Sequence, residues 1–547
     1  ISLLNIIKNM SSLNFIYIQM NDAIQANDSE KIDHLLKNGV DPNIQDKDGN
    51  APLHMIMNHN CNINLYIIKL LIHSGSNPNL LNKDNNTPLH IALKQKCNID
   101  IIKLLIHSGA DVNMKNKDGD IPLQFDEIEK CDIKIIELLI HSGANLNFQN
   151  KNGNTALHIA VTKNYCIEII HLFLENGANS NIQNIWGLTP LHYAIKDIKI
   201  FIVDLLLTYG ANPNIKENDK LGFTPFHVAL LYYDNIELIK ALLEKGADIN
   251  LPLSDGSSPL FIAVGKSRKI DIIKLLLKHG ANPNNPNNKG ETPLHEASLI
   301  YNNLDVIKFL LKHGANPNKA NNKGRTPFHI ALSYNNTIDV IRYLLEKGAD
   351  INARMIDGCS PLHIAVVKSR DIEVDIEIIK FLLNNGANPN LKGVGGIIPL
   401  HVSLNNSNPI EVMQCLLEKG TDINTQMDNG RTVLYLAVEL SVDIQIIKFL
   451  LNNGANPNLK CVGGIIPLHV SLNKSNTIEV IQCLLEKGTD INTPMDNGRT
   501  VLWLAVELLV DPQVIKFLLN NGANPDIHDK YGLLYRVKIL QNDQFLP

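Results

Sequence analysis

The stretch TPLHIALKQKCNIDIIKLLIHSGADVNMKNKDGD, residues 87–120, holds the pattern on which nearly the whole chain is written. Pro88 falls at a first helical position, where its missing N–H costs nothing, and Thr87 before it is a natural N-cap. A short apolar helix follows in Leu89-His90-Ile91-Ala92-Leu93, with a small residue where a neighbouring helix must approach. The turn at Cys97-Asn98 leads to a second helix, Ile99 to His107, whose apolar residues Ile101, Ile102, Leu104 and Leu105 keep helical spacing. Gly109 ends it as a left-handed C-cap residue. The Asx- and Gly-rich segment from Asp111 to Gly119 reads as a hairpin-like turn that carries the chain onward. A unit of this size cannot bury its own apolar face, so it must stack on copies of itself.

Copies are present. Thr-Pro-Leu-His returns at Thr189 and Thr292, with near copies at Thr224, Thr326 and Ser360, and weaker versions begin at Ala51, Ile121, Thr155, Ser258, Ile398, Thr432, Ile466 and Thr500. Ten of the thirteen intervals between starts are 34 residues, and a glycine ladder from Gly39 through Gly177 and Gly314 to Gly522 runs in phase. Two independent markers with one period define a repeat array. Residues 378–440 and 446–508 differ at only six of 63 positions, which marks duplication of a repeat pair.

Composition excludes several classes. Fifty Lys and Arg against 55 Asp and Glu leave a net charge of -5, so no basic surface makes nucleic acid the default partner. No run of 18 apolar residues occurs, so membrane insertion is not expected. The apolar segment at the N-terminus is broken by Asn5, Lys8, Asn9 and Asn14, and reads as a packed end-cap and not a signal peptide; because the chain starts at isoleucine, an upstream targeting signal stays open. The eight cysteines form no close pair and no Cys-x-x-Cys, which suits a reducing compartment. Cys61, Cys97 and Cys131 share one place in the repeat, and units about 8–10 Å apart would keep their thiols too distant to share zinc.

The Thr-Pro-Leu-His motif, the run Leu310-Leu311-Lys312-His313-Gly314-Ala315 and loops such as Asn322-Lys323-Gly324 resemble ankyrin repeats. The resemblance implies an all-α solenoid, an elongated superhelix of helix-turn-helix units with a hairpin loop every 34 or so residues. Residues 1–17 are expected to be an N-terminal capping helix or extension, 18–525 an array of about 15 repeats, and 526–547 a truncated capping repeat. Polar capping faces keep an open stack from growing into a fibre. The Asn-, Ile- and Lys-rich wording is similar to that of AT-rich viral or intracellular-pathogen ankyrin proteins.

Nineteen histidines invite a catalytic or metal reading. Ten of them, from His54 and His90 to His401 and His469, occupy the fourth motif position, where the resemblance implies a structural bridge to the motif Thr and neighbouring backbone. His73, His107 and His141 form a second ladder at the ends of second helices, where a cation suits the helix dipole. Nucleophile elbows, Lys-containing phosphate loops and His-Glu-x-x-His are absent from the sequence. The nearest phosphate-loop lookalike, Gly393-Val394-Gly395-Gly396, sits at a hairpin tip, and its duplicate replaces Gly393 by Cys461. We therefore expect no enzyme, no catalytic residue, no cofactor and no bound metal.

The resemblance further implies that hairpin tips and first helices line a concave groove where partner proteins dock. Departures from the repeat there are the candidate contacts: Trp186 at a tip, Phe223 beside a two-residue insertion in 217–221, then Leu231, Tyr232, Tyr233, Leu299, Tyr301 and Tyr334 near the ends of first helices. Exposed aromatics on a rigid surface are what interface hot spots are made of; the competing expectation is that several of these rings pack on the neighbouring unit. A second candidate is the duplicated pair, where Tyr435 and Trp503 replace the motif histidine and Arg431 and Arg499 occupy tips beside Asp428 and Asp496. The inter-helix segment 369–375 is a third, on another face.

These features point to a non-enzymatic scaffold or adaptor, a monomeric solenoid in the cytoplasm, or in host cytoplasm for a viral or effector protein, that holds a partner protein in its groove. Two alternatives remain: a substrate receptor of a ubiquitin ligase, or a host-targeting effector whose effector segment is missing from this chain.

Overall fold

The computed structural model describes residues 16–532 except 59–64, 126–127, 129–131, 267–269, 335, 369–371, 407 and 474–476. The capping segments at 1–15 and 533–547, with Cys61 and Cys131, lie outside the described residues. The chain divides into two compact units, residues 1–281 and 282–547.

Each unit is a stack of helix pairs, and among the described residues no strand forms. In the first unit a seven-residue first helix such as Pro190–Lys196 is followed by a nine-residue second helix such as Ile200–Thr208. The start is set as the sequence implies: Thr189 takes extended backbone at φ -97, ψ 165, and Pro190 opens the helix. First helices pack on the first helices before and after them, and second helices likewise. Their apolar faces, with Leu191, Ala194, Val203 and Leu206 at 1% exposure or less, have no cover except the next repeat. The second unit repeats this arrangement, with Pro327–Ser333 and Ile338–Glu346 as a representative pair.

Glycine serves two different needs. Gly177, the C-cap of its repeat, sits at φ +89 with open space where a Cβ would be, so only its backbone conformation demands glycine. Gly187 at a hairpin tip has φ +76, and a Cβ there would also meet the Asn218 amide nitrogen at 2.5 Å. Successive tips touch through the backbone: Asn218 N–H donates to the Trp186 carbonyl at 2.9 Å, and Ile185 N–H to the Asn152 carbonyl at 3.2 Å.

Asparagine makes a further ladder. Asn113 Nδ2 donates to the Gly143 carbonyl at 2.9 Å while its Oδ1 accepts from Asn145 N–H at 2.7 Å, and Asn147 continues the series to Gly177 and Asn179. The same pattern runs through the second unit, as at Asn318 with Gly348 and Asp350. One side chain thus satisfies a carbonyl that the preceding helix end leaves open and fixes the following loop.

Where isoleucine replaces the motif threonine, the first helix shortens. The unit starting at Ile121 has, among the described residues, a 3-10 turn at Pro122–Gln124, and Gln124 takes the histidine's place: its Oε1 accepts from Ile121 N–H, and its Nε2 donates to the Phe148 and Asn154 carbonyls. In the duplicated units first helices run only over Pro399–Val402 and Pro467–Val470 before a 3-10 turn. The segment expected to be a loop at 369–375 is helical from Ile372, within the helix Ile372–Asn384; 369–371 lie outside the described residues.

Candidate functional site

The motif histidines are cross-links between repeats. His158 Nδ1 accepts from Thr155 N–H at 3.1 Å, so the proton of the neutral ring sits on Nε2, which donates to the Leu188 carbonyl of the next repeat at 3.1 Å. Burial is the main cause that holds His158 and six others, His90, His192, His227, His329, His401 and His469, down at about 4. The outer histidines His73, His107 and His141 each place Nδ1 2.6–2.7 Å from the carbonyl four residues earlier, closing a helix end.

Eight of the ten motif histidines reach a carbonyl of the following repeat through Nε2: His54, His90, His158, His227, His295, His363, His401 and His469. His192 and His329 do not; the Nε2 of each is buried without a hydrogen-bond partner. At His192 the nearest acceptor is the carbonyl of Phe223, the residue before Thr224 and next to the insertion at 217–221; it favours the charged ring but lies outside hydrogen-bond geometry.

A cavity of about 300 Å³ opens at this place in the first unit. First-helix residues His192, Tyr193, Lys196, Val228 and Tyr232 form one side, and hairpin residues Glu217, Asp219 and Phe223 the other. Tyr193 is fixed by the hydrogen bond that Asn184 Nδ2 donates to its hydroxyl at 2.9 Å, and Tyr233 donates its hydroxyl to the Lys196 carbonyl. Burial and the neighbouring Asp219 raise the Glu217 carboxyl above its ordinary range, an effect that Lys196 opposes. Asp219 caps the inserted turn, accepting from Leu221 and Gly222 N–H.

The sequence-predicted contacts fall into three groups. Trp186, Tyr232, Tyr301 and Tyr334 are exposed, at 51%, 69%, 68% and 53%. Phe223, Leu231, Tyr233 and Leu299 are half-buried, so each divides its surface between stack and solvent. Phe223, Tyr232 and Tyr233 share the cavity in the first unit, and Trp186 is tied to its hairpin through Asn218; Leu299, Tyr301 and Tyr334 belong to the second unit. In the duplicated pair, Arg431 and Arg499 bind Glu439 at 2.8 Å and Glu507 at 2.9 Å, across the first helix of their own repeats. Arg499 also lies 3.5 Å from the centre of the Trp503 ring, and Arg431 5.2 Å from that of Tyr435. Both rings are buried, and the Tyr435 hydroxyl is pushed up to about 12, chiefly by burial and then by Cys461 of the next repeat.

Two features escaped sequence reasoning. Phe201, 82% exposed on a second helix, neighbours Ile198 and Ile200, which are also exposed; Ile198, a β-branched residue, stands in left-handed backbone at φ 55. Helical spacing marked this helix as apolar all round, which is the signal that one face had no partner. Cys97 is disulfide-bonded, to a residue outside the described ones, which corrects the expectation that the cysteines stand apart. Cys166, Cys359, Cys415, Cys461 and Cys483 are free thiols. Among the described residues no cluster of three His, Cys, Asp or Glu is placed to hold a metal, and no helix is long and apolar enough to cross a membrane.

The sequence profile of the family "Ankyrin repeats (3 copies)" matches residues 20–116, 127–217, 163–252, 226–321, 300–393, 372–461 and 442–529. The chain belongs to the ankyrin-repeat family. It is 44% identical over 75 residues to a putative ankyrin repeat protein of Fowlpox virus, which covers 13% of this chain and 21% of that protein. It is 41% identical over 69 residues to an ankyrin repeat-containing protein of Schizosaccharomyces pombe (13% and 32%), and 52% over 40 residues to a putative ankyrin repeat protein of Rickettsia felis (7% and 18%). The matched part spans less than a third of each relative's length. Ankyrin repeats are, as a class, protein–protein interaction modules and typically non-catalytic.

Proposed function

We propose that this protein is a non-enzymatic adaptor that holds a partner protein against the face made by hairpin tips and first helices, with the surface around Trp186, Phe223 and Tyr232 as its centre. The observation that carries this reading is the cavity itself: exposed and half-buried rings gather there on rigid helices around a concave space, the combination that concentrates binding energy. Tyr301 and Tyr334 extend the same type of position into the second unit. Arg431 and Arg499 rank below them, because each guanidinium already has a carboxylate and a ring within its own repeat. Free thiols at five positions favour the cytoplasm, and the Cys97 disulfide pulls the other way.

The test is affinity capture from a host-cell lysate with wild type and with the variant carrying Trp186→Ala, Tyr232→Ala, Tyr301→Ala and Tyr334→Ala. The variant should keep its helical spectrum and melting midpoint and lose the captured partner. A folded variant that retains every partner contradicts the assignment of this face.

A further inference from the structure

We infer that the cavity between the Pro190–Lys196 and Pro225–Tyr232 helices and the inserted hairpin receives a positively charged side chain, the arginine or lysine of an extended segment of a partner protein. The inference rests on the reading of this face as the docking surface and names what would fill it.

The cavity sits at a departure from the repeat. Two extra residues in 217–221 belong to the hairpin that lines it, and the Nε2 cross-link present in eight other repeats is missing at His192. Its walls then have a consistent polarity. Tyr193, Phe223 and Tyr232 supply ring surfaces, whose faces are electron-rich and attract cations. Glu217 and Asp219 supply two carboxylates against the single lysine, Lys196, so the lining groups sum to one net negative charge. Lys196 compensates Glu217 only in part and from a distance: among the described residues no cation lies within ion-pair distance of its carboxylate, and no hydrogen bond reaches it. Of the other cations close by, Lys216 donates its Nζ to the Pro252 carbonyl at 2.9 Å, and Lys220, exposed in the insertion, does not line the cavity. Half-burial makes the unpaired Glu217 charge unfavourable, and the raised Glu217 carboxyl reports that cost. A guanidinium or ammonium stacked on tyrosine and facing Glu217 and Asp219 would remove it. An apolar side chain would leave the carboxylate buried further and still unpaired, and an acidic one would add a third like charge.

The probe is a random dodecapeptide display library panned on the full-length protein, with recovered peptides resynthesised for titration. Recovered peptides should share an Arg or Lys at one position. Replacing that residue by norleucine should weaken binding about tenfold, the equivalent of about 1.4 kcal/mol, and so should Glu217→Gln with Asp219→Asn in the protein, the melting midpoint being unchanged. Asn at 219 keeps the oxygen that caps the turn; should the double variant melt early, Glu217→Gln alone, at a carboxylate with no structural bond, decides. Peptides that lack a shared cation, or that bind the carboxylate variants undiminished, overturn the inference. If such peptides still lose affinity on Trp186→Ala and Tyr232→Ala, the docking face stands and only its occupant was misassigned. Failure to recover any peptide counts against both.

Discussion

The hairpin-insertion region, residues 186–233, and the duplicated pair around Tyr435 and Trp503 both place aromatic rings where most other repeats have none, yet their environments are opposite. Tyr435 and Trp503 stand in the histidine's own position and are 3% and 5% exposed; Trp186 and Tyr232, at a tip and at a helix end, are 51% and 69% exposed. A ring at the cross-linking position is absorbed into the stack whatever its chemistry, because the next repeat closes over it. A ring at a tip or helix end has no repeat to cover it. Place within the repeat, more than residue type, separates structural from binding aromatics.

Acid should divide the two regions most strongly. Each of the seven histidines near 4 has a folded pKa below its unfolded value of about 6.5, so the unfolded chain binds the proton more readily between those values. Their contribution is fully present above pH 6.5 and is lost as pH falls toward 4, by about 2 kcal/mol per histidine at pH 5. Urea unfolding followed by hydrogen exchange should show the repeats with histidine weakening first, and those starting at Thr432 and Thr500, which have none, following only as their neighbours open. Equal weakening of all repeats from the outset would deny the histidines this role.

Substituting the two tryptophans sharpens the contrast. Trp503→Ala removes a core ring and should cost about 3–5 kcal/mol, whereas Trp186→Ala should stay within about 0.5 kcal/mol, both read from urea midpoints. A smaller difference separates His158→Ala from His192→Ala: both lose the bond to the motif N–H, and only the first loses a repeat-to-repeat bond, so it should be the costlier by about 1 kcal/mol. Smallest is Arg431→Gln, a part-exposed ion pair worth less than about 1 kcal/mol in the same assay. A loss of several kcal/mol there would mean that the guanidinium supports the Tyr435 ring.

Much of this was legible in residues 87–120 alone. The N-cap threonine, the first-turn proline, the apolar spacing and the C-cap glycine each have one local cause, and repetition at 34 residues multiplies it. The asparagine ladder was less legible, since Asn79 or Asn113 reads as a turn residue until the next repeat supplies the carbonyl and N–H that its amide joins. The pairing of Arg431 with Glu439 was hidden for a related reason: the partner lies eight residues on, and the side chain crosses its own helix to reach it. The cavity beside His192 lay between: the insertion in its hairpin is plain in the sequence, but the missing cross-link depends on where the Phe223 carbonyl comes to rest.

The central claim, that partners meet the hairpin and first-helix face, can be tested against Phe201, an exposed aromatic on a second helix of the same unit. A benzophenone amino acid would be placed at Tyr232 in one sample and at Phe201, on a second helix and 82% exposed, in another, and each irradiated in host-cell lysate. The account predicts a specific crosslinked partner from position 232 and none above background from position 201. A partner crosslinked from position 201 and not from 232 would contradict it and move the binding surface to the second helices.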